Sequence, residues 1–249
     1  MSPTLEFGAD GVATVRLNRP AHLNRLHRED LLALLDHFER LADERSARLL
    51  VLTGSGRAFC AGFHIGELEG ADDPRLFEKT VDALEALPLP TVARLNGSVY
   101  GGATDLALAC DFRIGVAGMK LRMPAARLGL HYYPSGLRRY VSRLGLGAAK
   151  RLFLLAEEIG ADELLRIGYL DACVEAPALD AEVGRISALL SANAPLAVSG
   201  MKLSLDEIAR GDAAIGRIEA RAAACAASAD LREGLAAFAE RREPRFKGC

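Results

Sequence analysis

The chain has 249 residues, half of them hydrophobic, enough for one large domain or two small ones around a sizeable core. A formal net charge of −2, from 31 basic and 33 acidic residues, gives no reason to expect nucleic acid or an anionic membrane as the main partner. The five cysteines are odd in number, widely spaced and free of any C-x-x-C pair, and no run approaches the roughly 18 apolar residues of a membrane span, so the expectation is a soluble, unprocessed cytoplasmic protein with reduced thiols and neither a disulfide framework nor a paired-thiolate zinc site.

In chain order, "VATVRL" (Val12 to Leu17) reads as a strand, and Leu31, Leu34, Leu35, Phe38 and Leu41 then recur at helical spacing before "RLLVLTG" resumes a strand. The alternation repeats. A helical stretch from Pro74 to Ala86 leads into the strand "TVARLNG", "GGATDLALAC" reads as a buried helix and "DFRIGV" as a further strand. Such alternation predicts an α/β fold with a largely parallel sheet, whose ligands bind beyond the carboxyl ends of the strands. From about Ser135 the pattern is almost wholly helical, broken by the strand-like "YLDACVE" and punctuated at Gly145, Gly160, Gly168, Pro177 and Pro195. The alanine-rich "EARAAACAASAD" reads as a helix packed closely against a neighbour.

Two glycine-rich turns follow strands. The first, "GSGRAFCAGFHIG", leaves "RLLVLTG"; the second, "LNGSVYGGATDLALACD", places Gly101 and Gly102 before a helix whose first turn carries Asp105. The first N–H groups of a helix have no internal partner, so such a turn can hold something negative, although glycines also serve simply to let a backbone turn. The phosphate loop G-x-x-x-x-G-K-[ST], a G-x-G-x-x-G after the first strand, H-E-x-x-H and G-x-S-x-G are all missing, which moves nucleotide hydrolases, nicotinamide dehydrogenases, zincins and α/β-hydrolases out of the front rank. Two N–H groups from separate turns converging on one oxygen would form an oxyanion hole, which needs no metal. Cys60 has no basic partner close in sequence and reads as a small buried residue. His22, His27 and His37 show no spacing of a ligand set.

At this point the motifs carry a resemblance. "RAFCAGFHIGEL", "LNGSVYGGATDLALACDFRIG", "MPAARLGL" and the ending "AFAERREPRFKG", with "VRLNRPAHLNRL" and "NAPLAVSGMK" in the correct order, resemble the enoyl-CoA hydratase/isomerase (crotonase) family over most of the chain. The resemblance implies a crotonase-like fold of repeated β-β-α turns over residues 1–190 and a helical trimerisation region over 191–249. It also implies an acyl-CoA thioester as substrate, in the setting of fatty acid metabolism, with coenzyme A arriving as part of that substrate and no permanently bound cofactor or metal. A homotrimer or dimer of trimers is the implied assembly. The family's oxyanion-hole N–H groups map onto Phe63 and Gly102, and its thioester and coenzyme A contacts onto Asn24, Ala61, Gly62, His64, Ile65, Tyr100, Gly101, Pro124 and Ala125. Phe246 and Lys247 would reach the adenine and phosphates of coenzyme A bound by a neighbouring subunit.

The sequence departs from that pattern at both catalytic positions. Where a hydratase of the family carries two glutamates, this chain carries Asp105 and Ala125, and His64 stands where the family usually has aspartate. Ala125 can move no proton, and the shorter Asp105 loses about 1.5 Å of reach. The loop "GLHYYPSG" brings His131, Tyr132 and Tyr133 opposite the expected oxyanion hole, where they either replace the missing acid or fill the acyl pocket. Three readings stay open: double-bond isomerisation or hydration with Asp105 or His131 moving the proton; decarboxylation or thioester hydrolysis on the same oxyanion hole, with His131, Tyr132 or Tyr133 orienting the leaving carboxylate or water; and a non-catalytic acyl-CoA-binding protein.

Overall fold

A computed structural model describes residues 2–8, 10–67 and 73–249. Strand β1 (Thr4–Phe7) pairs antiparallel with β2 (Val12–Leu17), in which Ala13, Val15 and Leu17 face the core. Strand β3 (Leu49–Gly54) is buried at every residue, the signature of a strand covered on both faces. With β4 (Thr91–Leu95), β6 (Phe112–Val116) and β9 (Ala172–Val174) it completes a six-stranded sheet of order β1-β2-β3-β4-β6-β9, parallel from β2 onward. Helix α1 (Arg28–Asp43) turns Leu31, Leu34, Phe38 and Leu41 inward and packs beside α2 (Leu76–Glu85). Helix α3 (Ala103–Leu108) is buried throughout. These elements match the strand and helix pattern expected from the sequence.

Three further strands, β5 (Val99–Tyr100), β7 (Lys120–Arg122) and β8 (Ile159–Gly160), form a small second sheet across which the second glycine turn enters α3. Strands of two to four residues carry no measurable period, so neither this sheet nor β1 was legible as a pattern. Helix α4 (Pro134–Lys150) bends at Gly145, whose φ of 78° is left-handed. Helices α5 (Ala161–Arg166) and α6 (Leu179–Ser191) follow, and α6 covers the sheet at β4 and β6.

The last three helices are α7 (Pro195–Arg210), α8 (Ile215–Ala227) and α9 (Ala229–Glu240). The alanine-rich stretch expected as one helix is two. Ser228 ends α8 and starts α9, its hydroxyl accepting the Leu231 N–H at 3.0 Å as an N-cap. Lys202 of α7 reaches Asp111, just before β6, at 2.6 Å and so ties the helical region to the sheet. Helix α8 buries no residue, and Ile215 and Phe238 are 73% and 87% exposed. Among the described residues no helix is long and apolar enough to cross a membrane.

Ion pairs hold this region together, and acid is expected to loosen it. Arg221 holds the Glu207 carboxyl down to about 2, and Arg242 does the same for Glu233, against an ordinary value of 4.5. A depressed folded-state pKa gives stability that is present above about pH 4.5 and is lost as pH falls toward 2. Protection factors of the α8 and α9 amides, each corrected for the intrinsic exchange rate at that pH, are therefore expected to fall over that window; protection factors that stay constant from about pH 5 to about pH 2.5 would show that these pairs hold nothing.

Candidate active site

The first glycine turn is braced from beneath. Asn24 is 1% exposed, and its amide donates to the carbonyls of Ser55, Ala58 and Phe59 at 2.8, 3.0 and 3.1 Å, while its Oδ1 accepts the Arg19 N–H at 2.9 Å. Its side chain is fully engaged by the loop. The expected coenzyme A contact at Asn24 is thus corrected: burial and four backbone bonds make it a brace for the turn.

The two turns meet at Gly62. With φ at +91°, a Cβ there would lie 2.7 Å from the Tyr100 carbonyl oxygen and 3.2 Å from the Gly102 nitrogen, so only glycine lets the strands' ends approach this closely. The N–H groups of Phe63 and Gly102 flank this contact, and neither has a hydrogen-bond acceptor among the described residues. Two unengaged N–H donors beside one another are what an oxyanion hole requires. Gly62→Ala is expected to cost about 1–3 kcal/mol through backbone strain and to lower turnover as the turns part. Thermal melting and kcat together check this; a variant with wild-type values in both would show the contact to be slack.

Beside the two donors lies a cavity of about 320 Å³. Of the residues expected to bind substrate or act on it, Ala61, Phe63, Ile65, Tyr100, Gly101, Gly102, Pro124, Ala125, His131 and Tyr132 line it. Gly62 lies behind the wall, and Asn24, His64, Asp105, Phe246 and Lys247 lie elsewhere. The Phe246 carbonyl accepts from Arg48 at 2.8 Å and the Lys247 N–H donates to Asp230 at 2.7 Å, which fastens the tail over α9. His131 is exposed at the mouth, with Nδ1 at 2.8 Å from the carbonyl of Tyr132. Ala125 puts a methyl group where the resemblance places the second glutamate.

Tyr133 and the groups behind it carry the ionisable chemistry. Asp105, expected to move a proton but with its reach shortened, is 0% exposed and is not among the residues that line the cavity. It accepts a very short hydrogen bond from the Tyr133 hydroxyl, and Tyr133 lines the cavity. Behind it, Arg139 Nη1 donates to both Asp105 oxygens at 2.9 and 2.8 Å. The remaining donors of Arg139 bind Glu85 at 2.8 Å and Asp82 at 2.7 Å. Burial raises the Asp105 pKa, a shift that Arg139 and Tyr133 only partly oppose. Burial, then the nearby Asp105 charge, pushes the Tyr133 hydroxyl well above 10, so it stays protonated at neutral pH. Burial works against the Arg139 charge, yet attraction to Asp105 and the bonds to Glu85 raise its pKa overall.

Tyr133 was one of three loop candidates in the sequence, whereas the ionisable cavity residue Glu78 was not named there. Glu78 is 7% exposed, bonded to Arg75 at 2.8 Å and to the Ser135 hydroxyl at 3.2 Å. The Arg75 bond lowers its pKa, so it is a carboxylate at neutral pH. Its position three residues before buried Val81 and seven before buried Glu85 marks it as facing inward, a signal present in the sequence. Cys60 is buried, its thiol pushed up to about 12 by that burial and donating to the Asn24 carbonyl at 3.0 Å, as expected of a packing residue.

A sheet with two touching glycine turns, paired free N–H donors and an apolar cavity defines an acyl-transforming enzyme of the crotonase type. The profile of the Enoyl-CoA hydratase/isomerase family matches residues 8–249, and the chain belongs to that family. It is 34% identical over 246 residues to a crotonyl-CoA hydratase of Syntrophomonas wolfei, covering 94% of each chain. It is 32% identical over 244 residues to a short-chain-enoyl-CoA hydratase of Clostridium acetobutylicum, covering 93% of this chain and 92% of that one. The solved enoyl-CoA hydratase from Bacillus anthracis superposes with a TM-score of 0.91 at 28% identity, over the whole of both chains. The crotonase-like fold expected from the motifs is thereby found.

Proposed function

We propose that this enzyme of the enoyl-CoA hydratase/isomerase family adds water reversibly to a 2-enoyl-CoA thioester, with Tyr133 as the proton donor at the α-carbon. The observation that carries this reading is the Tyr133 hydroxyl on the cavity wall, hydrogen-bonded to a buried Asp105 that Arg139 holds. The thioester oxygen sits between the Phe63 and Gly102 N–H groups, which stabilise the negative charge that develops as water attacks the β-carbon. Glu78, ionised and on the same wall, takes the proton of that water. The enolate then takes the Tyr133 proton at its α-carbon, and the tyrosinate is reprotonated at the expense of protonated Glu78 through solvent. A phenol of raised pKa is still a far stronger acid than the α-carbon it serves. In the reverse direction the raised pKa of Asp105 suits it to draw the hydroxyl proton as Tyr133 accepts the one from carbon.

Ala125 favours one second reading, double-bond migration, which needs proton transfer on a single face and no water-side base. The two separate cleanly. With crotonyl-CoA as substrate, Glu78→Gln is expected to abolish formation of the 3-hydroxyacyl product; conversion at the wild-type rate in that variant overturns the hydratase assignment. Retention of double-bond migration by the same variant on a 3-enoyl-CoA would establish the second reading. Among rival roles, decarboxylation and thioester hydrolysis are tested by the same assay with malonyl- and aryl-CoA substrates.

The assembly and setting belong to this proposal. Exposed Ile215, Leu235 and Phe238 on helices that follow the sheet region support a homotrimer, or a dimer of trimers, built on residues 191–249. Phe246 and Lys247 then face a coenzyme A bound by a neighbouring subunit. Reduced cysteines suit the cytoplasm. Light scattering giving the 26.6 kDa of one chain at micromolar concentration would rule the trimer out.

A further inference from the structure

A second group of side chains lies on the other side of the first glycine turn. His27, which caps the start of α1, His64, which follows Phe63, and Glu67 bring one ligand atom each to within 4.8 Å of the others. Glu67 Oε1 lies 2.5 Å from His27 Nδ1 and 3.6 Å from His64 Nδ1, while its Oε2 accepts the Arg28 N–H at 2.8 Å. The two imidazoles stack with centroids 4.8 Å apart. The His64 Nδ1 atom is buried and has no hydrogen-bond partner among the described residues. One carboxylate oxygen thus faces two ring nitrogens and satisfies only one of them.

We propose that His27, His64 and Glu67 form a binding site for one divalent cation of the zinc class, distinct from the acyl cavity. Two imidazoles and a carboxylate are the donors that Zn²⁺, Co²⁺ and Ni²⁺ accept, whereas Mg²⁺ and Ca²⁺ seek oxygen shells. With metal–ligand bonds of about 2.0–2.1 Å, tetrahedral ligand atoms stand roughly 3.3 Å apart. The 3.6 Å pair is already near that spacing, the 2.5 Å pair opens by less than an ångström, and the two ring nitrogens, within 4.8 Å of each other, close by at most about 1.5 Å to receive the ion. The cation takes the His64 nitrogen that lacks a partner. The Arg28 N–H holds the carboxylate in place from behind, the outer support that metal ligands commonly have. His27, His64 and Glu67 side chains are 22%, 33% and 32% exposed, which leaves an entry path and a fourth position for water. Bound there, the ion clamps the start of α1 to the turn that presents the Phe63 N–H.

The test uses the full chain after chelator treatment, with Cys225→Ser and Cys249→Ser to remove the more accessible thiols. Calorimetric titration with ZnCl₂ near pH 7.5 is expected to give one ion per chain with a dissociation constant below about 10 µM. CoCl₂ should give the intense visible bands of a four-coordinate site. His64→Gln and Glu67→Gln are each expected to weaken Zn²⁺ binding at least about 10-fold, and Zn²⁺ should raise the melting temperature of the parent but not of either variant. Native circular dichroism checks each variant's fold, and Glu67→Gln, which preserves shape, guards against a loss caused by misfolding. Absence of saturable binding up to about 100 µM Zn²⁺, or undiminished binding in folded His64→Gln and Glu67→Gln, overturns the proposal.

Discussion

Replacing Tyr133 by phenylalanine is expected to lower kcat by about 10²- to 10⁴-fold, roughly 3–5 kcal/mol of barrier, with little change in KM. The substitution removes one oxygen from the cavity wall and leaves the ring that packs against Phe77 and Tyr132. The pocket therefore keeps its shape while the proton donor goes. Asp105→Asn is expected to fall between this variant and wild type, because the neutral amide still accepts the Tyr133 bond but cannot draw its proton. His131→Ala is expected to change kcat by less than about 5-fold, since that ring sits at the exposed mouth beside its own neighbour's carbonyl. Steady-state rates on crotonyl-CoA decide among these. A Tyr133→Phe enzyme within a factor of three of wild type would move the proton-transferring role elsewhere, and a large loss in His131→Ala alone would place it at the mouth.

The second large effect is on stability. Arg139→Met is expected to destabilise the fold by about 3–5 kcal/mol, because it strands the Asp105 carboxylate away from water with no cation beside it and leaves Glu85 with Arg143 alone, at 3.3 Å. For a chain of this size that is a drop of roughly 6–20 °C in melting temperature. The deficit should depend on pH with a definite sign. Burial already raises the Asp105 pKa above 3.8, and loss of Arg139 raises it further, so the penalty of the buried charge is present above the folded-state pKa and is relieved as pH falls through it. The gap between variant and parent is therefore expected to narrow as pH falls through the raised Asp105 titration. Adding Asp105→Asn to Arg139→Met should recover part of the loss, and a double variant no more stable than the single one would show that Asp105 is not the stranded charge.

Much of the scaffold was legible because its elements are long enough to carry a period. The α1 stripe and the apolar run Leu49 to Leu52 of β3 declared themselves, and the glycine turns stood out because they follow strands. The proton side was harder. His131, Tyr132 and Tyr133 are consecutive loop residues, and without a helical or strand period the sequence cannot say which hydroxyl turns toward Asp105. Arg139 offered more. It sits among buried Ser135, Gly136 and Tyr140 at helical spacing, so a charge on the inward stripe of α4 was visible, but its partners lie 34 and 54 residues earlier and only the fold joins them. His27 and His64, 37 positions apart on a helix cap and a loop, meet for the same reason.

The close approach of the two turns at Gly62 also bears on how such a protein can diverge. The donors proposed to stabilise charge belong to the main chain, and no codon change at Phe63 short of proline deletes the amide. The groups proposed to handle protons are ordinary side chains on separate segments, Glu78 on α2 and Tyr133 at the entrance to α4, each replaceable by one substitution. Mutation can therefore explore new reactions of an activated thioester while the costly part, the ability to tolerate an enolate, is inherited intact. The arrangement makes this chain a practical starting point for laboratory evolution, with positions 78, 125 and 133 as the library and the glycines left alone.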